Sequence, residues 1–166
     1  MIIAAHAGTG KTTLAKIHPD KVVDFTAGSY KYLPNPAFEN LDPEEIKAHP
    51  NSCLNWEYPG NYVEAIKQAM GDGRVFVIPS CSMVRRLLRS EGIPYILCYP
   101  QRNAKEVYRK RYIDRGNTSD FLDVFIGGWD SFIDRLEEDD YGEHIVLKPH
   151  EYLIDAIGSI RLCPNT

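Results

Sequence analysis

Hydrophobic residues along this chain fall into five short runs, separated by segments with helical periodicity. The runs lie at residues 1–5, 22–25, 74–78, 95–99 and 144–147. The helical patterns occupy residues 11–17, 62–70, 82–90, 104–114 and 121–138. This alternation predicts βαβ units and a parallel sheet. We therefore expect an α/β fold of three layers, in which about five parallel strands carry helices on both faces.

One long segment departs from this alternation. Residues 26–73 contain five prolines and several asparagines, so only short regular elements fit there, such as a helix beginning near Pro43. Loop-rich insertions of this length in small α/β domains are more often functional than idle. We expect one domain spanning residues 1–166, with an insertion at about 26–73 that helps to bind an acceptor.

Composition narrows the possible partners. The chain has 166 residues, 43% of them hydrophobic and 25% charged, and a net charge of −4. This charge gives no electrostatic reason to expect duplex nucleic acid as the main partner. No apolar run has the length of a membrane span, and no signal segment is recognisable at the N-terminus. The four cysteines form no C-x-x-C pair. We expect a cytoplasmic protein with reduced thiols.

The first hydrophobic run leads directly into a glycine-rich turn. Its residues are Ala5, His6, Ala7, Gly8, Thr9, Gly10, Lys11, Thr12 and Thr13. This segment matches the phosphate-binding pattern G-x-x-x-x-G-K-[ST], except that Ala5 stands in place of the first glycine. Alanine disfavours the positive φ that glycine can adopt there. Because a helix begins near Lys11, its N-terminus directs N–H groups at the turn and favours an anion.

The roles of the loop residues follow from this pattern. Gly8 and Gly10 allow the backbone to curl around phosphate oxygens. Lys11 would reach the β- and γ-phosphates, and the Thr12 hydroxyl would bind Mg²⁺. We predict that residues 7–13 bind ATP. His6 is not expected to act as an acid–base catalyst, because the variable positions of such loops hold many kinds of side chain.

Polar residues near the second strand are candidates for the acceptor side. Asp24, at the strand end, could act as a general base or hold Mg²⁺ through water, or it could simply cap a turn. Tyr30, Lys31 and Tyr62 could contact an acceptor, although a tyrosine-rich turn could equally pack on the sheet edge. The third strand ends in Pro79-Ser80, where an acidic residue would often help to hold magnesium. The absence of such an acid argues against a motor or switch ATPase and is compatible with a phosphotransferase.

Arginines follow the fourth strand. Arg111 and Arg115 are four residues apart, so they share a helical face, and Arg102 comes just after the strand. Phosphoryl transfer requires cations that neutralise the transferred group, so Arg111 and Arg115 are candidate catalytic residues. Arg85 could reach an acceptor phosphate, as could Arg102. The alternative is a solvated basic helix paired with neighbouring carboxylates.

Together these motifs resemble the small P-loop kinases of the nucleoside monophosphate kinase superfamily, especially short phage and bacterial nucleotide kinases. The resemblance rests on the loop at residues 5–13, on Asp24, on the Tyr-Pro-x-Arg at residues 99–102 and on Arg111-x-x-x-Arg115-Gly116. It implies a P-loop kinase fold, with a short lid over ATP at about residues 102–118 and with Asp24 facing the acceptor.

Two functions remain open at this point. The first is an ATP- and Mg²⁺-dependent phosphotransferase acting on a nucleotide or nucleoside, most simply a (deoxy)nucleoside monophosphate. The second is a nucleotide-binding regulatory or sensing protein with little catalytic activity. A further alternative is a small-metabolite or polynucleotide kinase on the same scaffold. The negative net charge makes a polynucleotide the less favoured acceptor of the two.

Overall fold

The central strands of the sheet are parallel, so their carboxyl ends lie side by side. The computed structural model of the protein describes residues 1–33, 53–71 and 73–157. The strands are β1 Ile2–Ala5, β2 Val22–Asp24, β3 Val75–Pro79, β4 Ile96–Pro100 and β5 Glu143–Leu147. Their order is β2-β3-β1-β4-β5, and every neighbouring pair is parallel. Ala5 lies in register with Pro79 on one side and with Cys98 on the other.

Helices occupy both faces of this sheet. They are α1 Lys11–Ile17, α2 Gly28–Lys31, α3 Gly60–Ala69, α4 Ser82–Ser90, α5 Lys105–Asp114, α6 Ser119–Leu122, α7 Trp129–Glu137 and α8 Leu153–Ile157. A 3-10 turn, Arg102–Ala104, precedes α5, and a π-helical segment, Asp123–Gly127, separates α6 from α7.

The alternating side chains of β1 divide the core in two. Ile2 and Ala4 pack with residues of α3, α4, α5 and α7, whereas Ile3 and Ala5 pack with α1 and α8. All four side chains are buried, as expected for a central parallel strand that is covered on both faces. The predicted α/β fold with a five-stranded parallel sheet is confirmed.

The long helix predicted over residues 121–138 is interrupted. The chain widens into the π-helical segment and resumes as α7 only at Trp129. Consecutive glycines at 127 and 128 weaken a regular helix, and a Cβ on Gly128 would lie 2.7 Å from the Val124 carbonyl oxygen. This interruption stacks Phe125 on Phe132, with their rings at 7° and their centroids 5.3 Å apart.

The insertion begins and ends as a paired segment. Tyr32 forms an antiparallel bridge with Leu54, supported by backbone hydrogen bonds from Leu33 N–H to the Cys53 carbonyl and from Asn55 N–H to the Lys31 carbonyl. Residues 34–52, including the predicted helix start near Pro43, lie outside the described residues.

None of the helices in the described ranges combines the length and the hydrophobicity that crossing a membrane requires.

Candidate functional site

The glycine-rich turn joins β1 to α1 in the predicted order. Gly8 and Gly10 both have positive φ, at 80° and 93°, which glycine adopts without a steric penalty. A Cβ on Gly8 would lie 2.9 Å from Cε1 of Tyr112, so this position needs glycine for space as well. Ala5 is instead the last residue of β1, where its backbone is extended and its side chain is buried. The loop therefore accepts alanine at the position of the first glycine, because no positive φ is required there.

Lys11 turns its side chain back onto the loop. Its Nζ donates to the carbonyls of Ala5 and His6, each at 3.0 Å. Burial lowers the pKa of Lys11 from its usual 10.5 to about 8, and nearby Arg115 acts in the same direction. The Thr9 hydroxyl donates to the His6 carbonyl at 2.8 Å, so the buried threonine holds the turn together.

Asp24 lies beside the start of α1. The hydroxyl of Thr12 donates to Asp24 Oδ2 at 2.6 Å, which places a hydroxyl oxygen and a carboxylate oxygen next to each other at the loop. Within the described residues no group of three or more His, Cys, Asp or Glu side chains could hold a metal ion by itself. This pair fits Mg²⁺ that arrives with a phosphate ligand, because Mg²⁺ commonly uses one or two protein oxygens plus substrate phosphates.

A cavity of about 750 Å³, which we call the loop cavity, opens over the turn. Six loop and helix residues line one side of it, namely Ala7, Gly8, Gly10, Lys11, Thr12 and Thr13. The opposite side includes Arg111, Arg115, Phe121 and Tyr152. Of the residues predicted to bind ATP, only Thr9 does not line this cavity. Both predicted lid arginines do line it.

Arg111 is held rigidly against the loop. It donates from Nη1 to the Gly8 carbonyl at 3.3 Å and from Nη2 to the carbonyls of Pro149 and Glu151, each at 3.1 Å. Its guanidinium also lies 4.5 and 3.8 Å from the ring centroids of Tyr108 and Tyr152. These contacts tie the turn to the segment after β5, so Arg111 shapes the loop as well as contributing positive charge.

Arg115 differs from Arg111 in being exposed. Its side chain makes no hydrogen bond or ion pair with any residue in the described ranges. Because it lines the loop cavity and lowers the pKa of Lys11, its charge lies near the loop. An unpaired guanidinium in this position can bind an incoming anion without first breaking a salt bridge.

A second cavity, of about 500 Å³, lies on the other side of Lys11, and we call it the aromatic cavity. It shares Ala7 and Lys11 with the loop cavity. Its further lining includes His6, Lys31, Tyr58, Arg85, Phe125, Phe132 and Arg135. Its lining, as far as the described residues show it, contains four cationic side chains and no carboxylate. A ligand that combines an anionic group with a flat ring would suit such a lining.

The charge of Arg85 is compensated inside the protein. Its Nη1 pairs with Asp139, whose carboxylate also accepts a hydrogen bond from the Tyr95 hydroxyl at 2.7 Å. Both members of the pair are buried, and Arg85 Nε donates to the Ser80 carbonyl at 3.3 Å. The cavity therefore draws its uncompensated positive charge from Lys11, Lys31 and Arg135 rather than from Arg85. Arg135 bonds to Ser131 and lies over the Phe132 ring.

The other predicted acceptor residues lie elsewhere. Tyr30 and Tyr62 pack against Phe25, and the Tyr62 hydroxyl donates to the Phe25 carbonyl, so neither lines a cavity described here. Arg102 points to the exposed side of α7, where it pairs with three carboxylates, those of Asp130, Asp134 and Glu137. The structure thus brings Lys31 and Arg85 together at one cavity, but not Tyr30, Tyr62 or Arg102.

Several residues of the aromatic cavity are not among the acceptor contacts that the sequence predicts, and they include His6, Phe125, Phe132 and Arg135. The spacing of seven between the two phenylalanines, with two glycines between them, was the available signal. It is easily taken for the apolar face of a continuous helix, because residues seven apart also share one face of a regular helix.

Comparison of the sequence with protein-family models and with curated proteins gives no match. The function therefore has to be argued from the fold and from the geometry of these two cavities.

Proposed function

We propose that the protein is an ATP-dependent phosphotransferase of the P-loop kinase type, which phosphorylates a nucleotide or nucleoside, most simply a (deoxy)nucleoside monophosphate. The observation that supports this most strongly is the pair of cavities meeting at Lys11. A hydrolase needs one nucleotide site and access for water, whereas transfer to a second substrate needs two sites that converge on the same phosphoryl group.

In this proposal the loop cavity holds the donor. The N–H groups of residues 8–13 surround the phosphates, and Arg115 approaches the transferred group from the opposite wall. Lys11 gives up its two carbonyl contacts to reach the phosphate oxygens. Because its pKa remains at about 8, most of the Lys11 population carries a charge at pH 7 and can neutralise a phosphate.

The Thr12 and Asp24 oxygens would hold the magnesium that accompanies the donor. When bound there, Mg²⁺ would offset negative charge on the phosphates. Asp24 lies closer to this donor side than the resemblance implies, since its carboxylate contacts Thr12 and lines neither cavity. The aromatic cavity would take the acceptor, whose anionic part is favoured by Lys31 and Arg135.

The test is ADP formation from ATP and Mg²⁺ with a panel of nucleosides and nucleoside monophosphates, each offered singly. We expect ADP release to depend on one acceptor or a small set, and a phosphorylated acceptor to appear in equal amount. The Lys11→Met variant serves as the inactive control. ADP formation at the full rate without any acceptor would contradict the proposal.

A nucleotide-binding regulatory protein is the second candidate, and the contacts of Arg111 favour it. That guanidinium is engaged by three backbone carbonyls, and no acid follows β3 at Ser80. Such a protein would bind ATP or ADP saturably in calorimetry and yield no phosphorylated product with any acceptor in the panel.

A further inference from the structure

His6 is a buried polar side chain at the boundary of the aromatic cavity. Only 1% of the residue is exposed, and four aromatic rings surround its imidazole. The centroids of Tyr108, Phe125, Trp129 and Phe132 lie 5.7 to 6.3 Å from the imidazole centroid. Its Nε2 has no hydrogen-bond partner within the described residues. A buried nitrogen without a partner is unfavourable, so its presence calls for a physical reason.

The imidazole is uncharged under ordinary conditions. Burial lowers the pKa of His6 from 6.5 to about 3, and the nearby charge of Lys11 acts in the same direction. A proton-transfer role near neutral pH is therefore unfavourable. A neutral imidazole still offers one hydrogen-bond donor and one acceptor. What remains for Nε2 is a hydrogen bond to a group that is not part of the described protein.

The wall next to His6 has the shape and chemistry of a stacking surface. Phe125 and Phe132 lie nearly parallel, and both line the same cavity as His6. Phe125 lies within the π-helical segment Asp123–Gly127, and segments of this kind are frequent at functional sites. Flat aromatic rings pack favourably against such faces. Nucleobases combine a flat ring with hydrogen-bonding edges.

We propose that His6 determines the choice of acceptor: the acceptor's nucleobase packs against Phe125 and Phe132 and forms a hydrogen bond with His6 Nε2. This inference rests on the proposed function, because it assigns the acceptor to the aromatic cavity. It goes further by naming the residue that distinguishes one base from another. A site with a polar atom left unpaired by the wrong ligand discriminates more strongly than an apolar surface does.

The first measurement uses the unsubstituted protein labelled with ¹⁵N at histidine. The Nε2 resonance of His6 is followed during titration with individual nucleosides and, separately, with inorganic phosphate. We expect one nucleoside to shift this resonance and phosphate to leave it unchanged. The His6→Gln variant assigns the signal among the five histidines. A shift with phosphate and none with any nucleoside would overturn the assignment of the base to His6.

The second measurement is the affinity of each nucleoside by calorimetry for three variants. His6→Leu should weaken binding of the preferred nucleoside by about tenfold, the value of one ordinary hydrogen bond, and flatten the ranking of the others. His6→Gln, which can place a polar atom near the position of Nε2, should restore part of the preference. Tyr108→Phe is the matched control, because it removes a different buried polar atom, on a residue that lines neither cavity, and keeps the aromatic ring beside His6.

An unchanged ranking of nucleosides in both His6 variants would overturn the inference, as would a protein that binds no nucleoside. These results are separable from the proposed function, since they do not require turnover. Phosphoryl transfer with an unchanged ranking contradicts only the role of His6. If the preference for one base depends on His6 but no phosphoryl transfer is detected, only the proposed phosphotransferase function is contradicted.

Discussion

Replacement of Lys11 by methionine tests the cost of keeping an ammonium group at the meeting point of the two cavities. Lys11 Nζ donates to the carbonyls of Ala5 and His6. Both carbonyls have a second donor, since Ser80 N–H bonds to Ala5 and the Thr9 hydroxyl bonds to His6. Removing the charge therefore leaves neither oxygen unpaired. We expect Lys11→Met to abolish transfer and to raise the free energy of unfolding at pH 7.

The size of this gain follows from the pKa of Lys11. The folded protein lowers it from 10.5 to about 8, and each pH unit corresponds to about 1.36 kcal/mol. The stabilisation at pH 7 is therefore at most about 3 kcal/mol. Between about pH 8 and pH 10.5 the unfolded chain binds more protons than the folded protein, so the stability contributed by this group rises with pH. The advantage of the variant should shrink across that window.

Urea unfolding without nucleotide at pH 7 and at pH 9.5 measures both effects. Lys21→Met is the matched control, because Lys21 is exposed and its removal should change stability little at either pH. The reasoning would be refuted if Lys11→Met were less stable than the unsubstituted protein at pH 7. It would also be refuted if the gain were the same size at both pH values.

Four further predictions concern residues that line the loop cavity or lie beside it. Asp24→Asn should raise the Mg²⁺ concentration needed for half-maximal transfer by about 10- to 100-fold, because its carboxylate lies at the Thr12 oxygen; an unchanged Mg²⁺ titration would return it to a capping role. Arg115→Ala should lower turnover by about 100-fold while urea unfolding stays the same, and lysine should rescue it poorly. Arg111→Ala should lower both turnover and stability, since it holds three carbonyls, and equal behaviour of the two arginines would contradict this distinction. Gly8→Ala should destabilise the protein by about 1–2 kcal/mol through its positive φ, whereas Gly28→Ala, with open space around it, should not.

The sheet and the glycine-rich turn could be predicted from local signals alone. The five apolar runs are short, and each lies between clear breaks, so their positions agree with the observed strands to within one or two residues. The turn at residues 5–13 has a strand before it and a helix after it, and this context made its conformation predictable. Local patterns are sufficient here because apolar runs with breaks on both sides mark each strand, and Gly8 and Gly10 supply the positive φ of the turn.

The acceptor side depends on contacts between distant residues, and prediction was weaker there. Arg102 follows β4 as expected, but the acidic face of α7 attracts it away from the cavities. Arg85 does line the aromatic cavity, although Asp139, 54 residues later, neutralises it. Which cation remains free depends on where the carboxylates of other elements fall. A sequence pattern does not give that information.

The contacts that Arg111 makes also determine when the glycine-rich turn can be held in place during synthesis of the chain. The turn near the beginning of the chain is held by the carbonyls of Pro149 and Glu151 through Arg111, and by the hydrogen bond from Leu153 N–H to the Thr9 carbonyl. A nascent chain that ends before residue 149 lacks all of these contacts. The glycine-rich turn therefore gains these contacts only after translation has passed β5. A ligand that binds this turn would consequently stabilise chains that extend past Leu153 more than shorter nascent chains.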